Sequence, residues 1–118
     1  IAGGKIIGFG NSATTNSTSY DRHVYVDSAG RITFGVFAGG VRTVTSSKTY
    51  RDGQWHQVVA SLGAGGMALY VDGLKVGQRT DITAGQAYSG FWRIGGDNLG
   101  ARPAERFIDQ VAGIRKRC

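Results

Sequence analysis

The chain has 118 residues and a formal net charge of +6, with 41% hydrophobic and 19% charged residues. This length suits a single domain, the balance of apolar and charged residues excludes a disordered chain, and no apolar run is long enough to span a bilayer. The 20 glycines follow no G-X-Y period, which excludes collagen, and the single cysteine, Cys118, cannot form an internal disulfide.

Alternation with a period of two residues, which is typical of a half-buried β-strand, dominates the first half of the chain. Val24 and Val26 share one strand face, and Ile32, Phe34 and Val36 share a face of the next strand. The turn signal Asp-Ser-Ala-Gly between them predicts that the two strands form a hairpin. Strands are predicted at residues 5–9, 23–27, 31–37 and 41–45, with a Ser/Thr/Asn-rich loop at 11–19.

The second half of the chain contains another predicted hairpin unit, with a glycine turn at 63–66 and the tight-turn pair Asp72-Gly73. No window shows the apolar stripe of an amphipathic helix. Short strands joined by glycine-rich turns predict an all-β fold of two packed antiparallel sheets. The strands of this half are predicted at residues 55–62, 67–71, 75–78, 91–94 and 107–112.

The core should be formed by the apolar members of these alternating segments, because they share the inward face of each strand. The residues predicted to be largely buried are Val24, Val26, Ile32, Phe34, Val36, Trp55, Met67, Leu69, Val71, Trp92 and Ile94.

Residues 50–77 read YRDGQWHQVVASLGAGGMALYVDGLKVG. This stretch resembles the central signature of laminin G-like domains of the concanavalin A-like superfamily: D-G-x-W-H-x-V, a glycine turn, then L-Y-V-D-G. Residues 3–12, 20–36 and 88–99 resemble the flanking strands of the same family in the same order. The resemblance implies an all-β antiparallel β-sandwich of the jelly-roll type over residues 1–113, followed by a basic tail at 114–118.

The chain departs from the family pattern at both ends. Family members usually carry one or two further strands before the point that corresponds to Ile1, so the chain resembles a domain without its first strand or strands. Near the other end, Gln110 occupies a position that is usually acidic, and a glycine before that strand is missing. An unpaired sheet edge is a site where chains associate.

Catalysis is not expected. The related retaining glucanases carry two glutamates on one strand, which share the acid and nucleophile roles. This chain has a single glutamate, Glu105, within a basic stretch, so Glu105 is predicted not to be catalytic and the protein not to be an enzyme.

Calcium is the cofactor that the resemblance implies, because laminin G-like domains often hold this ion at the rim of the sandwich. Calcium requires several oxygen ligands. The candidate ligands are Asp97 and Asn98, which follow two glycines in a turn, and Asp109. Ordinary turn chemistry is the alternative explanation for Asp97 and Asn98.

Sugar binding requires an aromatic platform with polar groups beside it. Alternation places aromatic residues on the outward strand faces, with arginines near two of them. These aromatics would equally suit a covered second sheet surface or an interface with a neighbouring domain. The candidate ligand-binding residues are Tyr25, Arg31, Phe37, Tyr70, Phe91 and Arg93.

The resemblance therefore predicts a non-catalytic carbohydrate-binding or adhesive module of an extracellular or cell-surface protein of bacteria. The alternative is a structural or protein-interaction module, or a fragment of a larger laminin G-like domain, without a sugar site. The expected partners are a glycan or an extracellular protein, within a larger multidomain chain or through an unpaired sheet edge. Nucleic acid is not expected, because the terminal Arg-Lys-Arg run is short and contains no interleaved aromatic residue.

Overall fold

Residues 4–96 of the computed structural model describe eight β-strands and no helix. The predicted strand at 107–112, the three candidate calcium ligands and the basic tail lie outside these residues. No part of residues 4–96 forms a helix long and apolar enough to cross a membrane. The strands are β1 (Gly4–Gly10), β2 (Tyr20–Val26), β3 (Arg31–Phe37), β4 (Val41–Thr49), β5 (Val58–Gly63), β6 (Gly66–Val71), β7 (Leu74–Arg79) and β8 (Phe91–Ile94).

The strands form two antiparallel sheets, as the sequence predicted. One sheet has five strands in the order β4-β3-β2-β1-β8, and the other has three in the order β5-β6-β7. The sheets pack together through β4, which contacts β6 and β7. This arrangement is an all-β sandwich, and the predicted hairpins β2–β3 and β5–β6–β7 are confirmed.

The turn between β2 and β3 is organised by Asp27. Its Oδ1 accepts hydrogen bonds from the backbone N–H groups of Ala29 and Arg31, both at 2.9 Å, and its Oδ2 accepts one from Arg31 Nε at 2.9 Å. Gly30 supplies the positive φ, 90°, that the turn requires. Burial alone would raise the pKa of Asp27, but the hydrogen bonds from Arg31 and Ala29 outweigh it and hold that pKa below its usual value.

The core lies between the sheets and consists of apolar residues from both. Of the predicted core residues, Val26 is half-buried against this cluster, and seven others belong to it. The fully buried members are Val24, Ile32, Phe34, Val36, Val44, Met67, Leu69 and Val71.

Three core predictions are wrong. Trp55 is 75% exposed because β5 begins at Val58, so the tryptophan precedes the alternating strand. Trp92 and Ile94 are 39% and 59% exposed. They lie on β8, which is one edge of the five-stranded sheet. The three-stranded sheet packs near the opposite edge, against β4, and so does not cover these two side chains.

The face of the five-stranded sheet that points away from the core is also buried at its centre. Lys5, Tyr25 and Thr33 lie opposite one another across β1, β2 and β3, and none is more than 6% exposed. Gly8 is required here, because a Cβ at this position would overlap the side chains of Lys5 and His23. Tyr25 therefore lies on the face that points away from the core, as alternation predicted, but it is buried there and does not form an exposed aromatic platform.

Candidate ligand-binding site

The outer face of the three-stranded sheet carries two rows of side chains that point away from the core. Val59, Tyr70 and Lys75 lie opposite one another in the first row, and Ser61, Ala68 and Gln78 form the next. The alternate residues of the central strand, Met67, Leu69 and Val71, are buried in the core. Because successive side chains of a strand point to opposite faces, these two rows face solvent.

A hollow of about 330 Å³ lies on this face. Tyr70 forms an aromatic wall, Ser61 and Gln78 supply polar groups, and the small side chain of Ala68 leaves space between them. Backbone from the glycine turn between β5 and β6 closes one end. The described lining residues are Ser61, Leu62, Gly63, Gly65, Gly66, Met67, Ala68, Tyr70, Lys75 and Gln78. We refer to this feature as the outer-face hollow.

A β-bulge in β7 brings Lys75 and Gln78 together. Lys75 pairs with Tyr70 and Gly77 pairs with Leu69, so Val76 is an extra residue in the strand. In a regular strand, side chains three positions apart point to opposite faces, but the extra residue puts these two on the same face. Lys75 Nζ donates a hydrogen bond of 2.5 Å to Gln78 Oε1. Gly77 faces the core, where a Cβ would collide with Val44 Cγ1.

The candidate residues that the sequence suggested do not form one site. Tyr70 lines the outer-face hollow, whereas the other five belong to the five-stranded sheet. Tyr25 is buried, and Arg31 is held by the carboxylate of Asp27. Arg93 Nη1 donates to the carbonyl oxygens of Ser12 and Thr15.

Phe37 and Phe91 are exposed, but on opposite edge regions of the five-stranded sheet. Phe91 lies on the edge strand β8, and Phe37 lies at the end of β3 opposite Val41. A second hollow, of about 220 Å³, contains Phe37 together with Tyr20 and His23. The sequence did not indicate this combination, because it depends on the loop before β2 and on the segment that crosses between the sheets.

A buried carboxylate, Asp21, anchors that crossing segment. Asp21 is fully buried. Its Oδ2 accepts the backbone N–H of Gln86 at 2.8 Å, and its Oδ1 lies 3.1 Å from both Arg22 Nη1 and the Tyr88 hydroxyl. Burial and the negative charge of Asp21 raise the pKa of Tyr88 well above its usual value. The network fixes the chain between β7 and β8 and is structural.

His56 of the family signature is held between two carboxylates. Its Nδ1 lies 2.7 Å from Asp72 Oδ2, and its Nε2 lies 2.8 Å from Asp52 Oδ1. Hydrogen bonds to Asp72 and Asp52 raise the pKa of His56 and lower those of both aspartates. The two carboxylates occupy opposite sides of the ring, and within residues 4–96 no group of three His, Cys, Asp or Glu side chains converges on a metal position.

Asp97, Asn98 and Asp109 lie outside the described residues, so the calcium site stays a prediction from the sequence.

Comparison with known proteins gave one family match. The laminin G-type family described as the concanavalin A-like lectin/glucanases superfamily matches residues 3–114. Searches of curated proteins and of solved structures found no significant match.

Proposed function

Because this chain belongs to the laminin G-like family of the concanavalin A-like lectin/glucanases superfamily, we propose that it is a non-catalytic carbohydrate-binding or adhesive module of an extracellular protein. The family supports a module that binds glycans or other proteins. The choice of a glycan rests on the outer-face hollow.

The observation that carries the proposal is the juxtaposition of Tyr70 with Ser61 and Gln78 on an open sheet face. Sugars bind where an aromatic ring covers their apolar C–H face while hydroxyl and amide groups satisfy their hydroxyls. A hollow of this size on an open sheet face suits an extended polysaccharide, whose neighbouring sugar units would lie outside the hollow.

Binding to a panel of soluble neutral and acidic polysaccharides, measured by affinity electrophoresis and calorimetry, tests the proposal. We expect the Tyr70→Ala variant to bind about fivefold more weakly, because aromatic contacts of this kind contribute roughly 1 kcal/mol. Phe37→Ala removes an exposed aromatic residue from the other sheet and is the matched control. Loss of binding in Phe37→Ala with retention in Tyr70→Ala would contradict the assignment of the site.

A protein-interaction module is the second candidate, and the exposed apolar side chains favour it. Trp55 and Leu74 are 75% and 71% exposed, and along the chain they lie within two positions of His56 and Asp72, whose side chains are in contact. Within residues 4–96, β5 pairs only with β6, and such an edge can receive a further strand. Concentration-dependent sedimentation that Trp55→Ser abolishes, together with no binding to any polysaccharide, would favour this candidate.

A further inference from the structure

The described lining of the outer-face hollow carries positive charge and no negative charge. Among the described residues that line it, Lys75 is the only charged one, and the remainder are glycine, apolar residues and uncharged polar residues. A concave surface lined by one sign of charge attracts ligands of the opposite sign.

Within residues 4–96, no carboxylate forms an ion pair with Lys75. Its Nζ donates to the uncharged amide of Gln78, and an ammonium group has three donors. Three of the six arginines in the described part of the chain do have a carboxylate partner: Arg22 with Asp21, Arg31 with Asp27, and Arg79 with Asp81. Lys75 therefore retains both charge and hydrogen-bonding capacity for a ligand.

Lys75 lies close to Tyr70, which forms the aromatic wall of the hollow. Lys75 lies directly opposite Tyr70 in the β6–β7 register, and the Cβ atoms of such cross-strand pairs are about 5 Å apart. A sugar ring that packs on Tyr70 would therefore carry its substituents within reach of the Lys75 ammonium. A carboxylate or sulfate among those substituents would form a charge-assisted hydrogen bond, which is stronger than a bond between neutral groups.

We infer that the outer-face hollow selects an acidic sugar, with Tyr70 packed against the ring and Lys75 bound to its anionic group. This inference rests on the proposed function and makes it specific, because it names the class of glycan. The β-bulge at Val76 is what makes the selection possible, since it places Gln78 beside Lys75 and thereby orients the ammonium group.

The experiment compares pairs of polymers that share a backbone and differ in charge. Polygalacturonate and its fully methyl-esterified form test a carboxylate, and dextran sulfate and dextran test a sulfate. We expect the acidic polymer of at least one pair to bind at least about tenfold more tightly than its neutral partner. Equal affinity within both pairs would overturn the inference.

Two variants distinguish specific binding of an acidic polymer at the hollow from general attraction of that polymer to a basic protein. Lys75→Gln and Lys48→Gln each remove one positive charge, and Lys48 lies on β4, in the other sheet, over the ring of Tyr50. We expect Lys75→Gln to weaken binding of the acidic polymer roughly tenfold, the size of one charge-assisted hydrogen bond, and Lys48→Gln to have little effect. Equal losses in the two variants would show non-specific charge attraction and overturn the inference.

The same measurements distinguish failure of the inference from failure of the proposed function. Binding of a neutral polymer that depends on Tyr70 but not on Lys75 would retain the glycan-binding function and reject the acidic class. Absence of binding to every polymer, in a wild-type chain whose circular dichroism shows a folded β-protein, would reject both.

Discussion

His56 Nδ1 lies 2.7 Å from Asp72 Oδ2, and this contact joins the segment before β5 to the turn that follows β6. The second ring nitrogen faces Asp52 at 2.8 Å. Both hydrogen bonds form together when the ring carries a proton on each nitrogen, so the contact depends on the imidazolium form.

Stability should therefore decline as the pH rises above neutrality. The pKa of folded His56 is raised above its ordinary value of 6.5, so its stabilising contribution is complete below about pH 6.5 and is lost as the pH rises through the folded pKa. The pKa values of Asp52 and Asp72 are lowered from 3.8, so their contribution is lost only under strongly acidic conditions. Thermal unfolding from pH 5.5 to 9 should show a falling midpoint, with a weaker dependence in His56→Gln. The same pH dependence in that variant would contradict this role.

Removal of the buried Asp21 carboxylate should be strongly destabilising. Asp21→Ala would leave the Gln86 N–H, the Tyr88 hydroxyl and the Arg22 guanidinium without this acceptor. We expect a loss of about 2–4 kcal/mol in the free energy of unfolding, measured with urea. Asp81→Asn is the control, because this carboxylate is in an exposed pair with Arg79, and it should change stability little. Comparable losses in both variants would argue against the buried network.

Gly77→Ala should destabilise the protein through a collision with Val44. The added Cβ would overlap Val44 Cγ1, and overpacking of this kind costs about 1–3 kcal/mol. The double variant Gly77→Ala/Val44→Ala should lose less stability than the sum of the single changes, because the shortened side chain makes room. Strict additivity in the double-mutant cycle would show that the two positions do not compete for space.

Trp55 should contribute little to stability although it belongs to the family signature. It is 75% exposed, so we expect Trp55→Ala to change the free energy of unfolding by less than about 0.5 kcal/mol. Leu69→Ala is the comparison, because Leu69 is fully buried in the core, and it should cost about 2–5 kcal/mol. A large loss in Trp55→Ala would indicate that this side chain is covered in solution.

Calcium binding at Asp97, Asn98 and Asp109 is tested by thermal unfolding with millimolar calcium against a chelator control. A ligand that binds only the folded state adds about 2.7 kcal/mol at a hundredfold excess over its dissociation constant. The midpoint should therefore rise by several degrees, and Asp97→Asn should remove most of the rise. Coincident curves would contradict calcium binding and favour ordinary turn chemistry as the explanation for Asp97 and Asn98.

The strand pattern was predictable where each strand has a packed partner, as for β2, β3 and β6. The prediction failed at Trp55 because alternation continues in the sequence past the point where pairing stops. Residues 52–57 instead form a connection, in which Asp52 binds His56 and the Gln57 carbonyl accepts the Asp72 N–H. Alternation in the sequence cannot show where the pairing of a strand begins or ends when tertiary contacts determine that boundary.

The candidate site was only partly predictable. Alternation placed Tyr70 on an outward face, which the β5–β6–β7 register confirms. Lys75 and Gln78 were missed, because a regular strand would direct them to opposite faces. The bulge that unites them lies next to Gly77, which packs against Val44, and alternation in the sequence shows neither the bulge nor this contact between distant strands. The partners of Asp21 were missed for the same reason.

The bond between the Asp21 carboxylate and the Gln86 N–H spans 65 positions of the chain. The entropy cost of closing a loop grows with its length, so the local hairpins should form first and this connection late in folding. Interactions absent from the transition state for folding act mainly on the rate of unfolding. Asp21 should therefore influence how long the folded domain persists more than how quickly it forms, so this buried carboxylate contributes to kinetic stability.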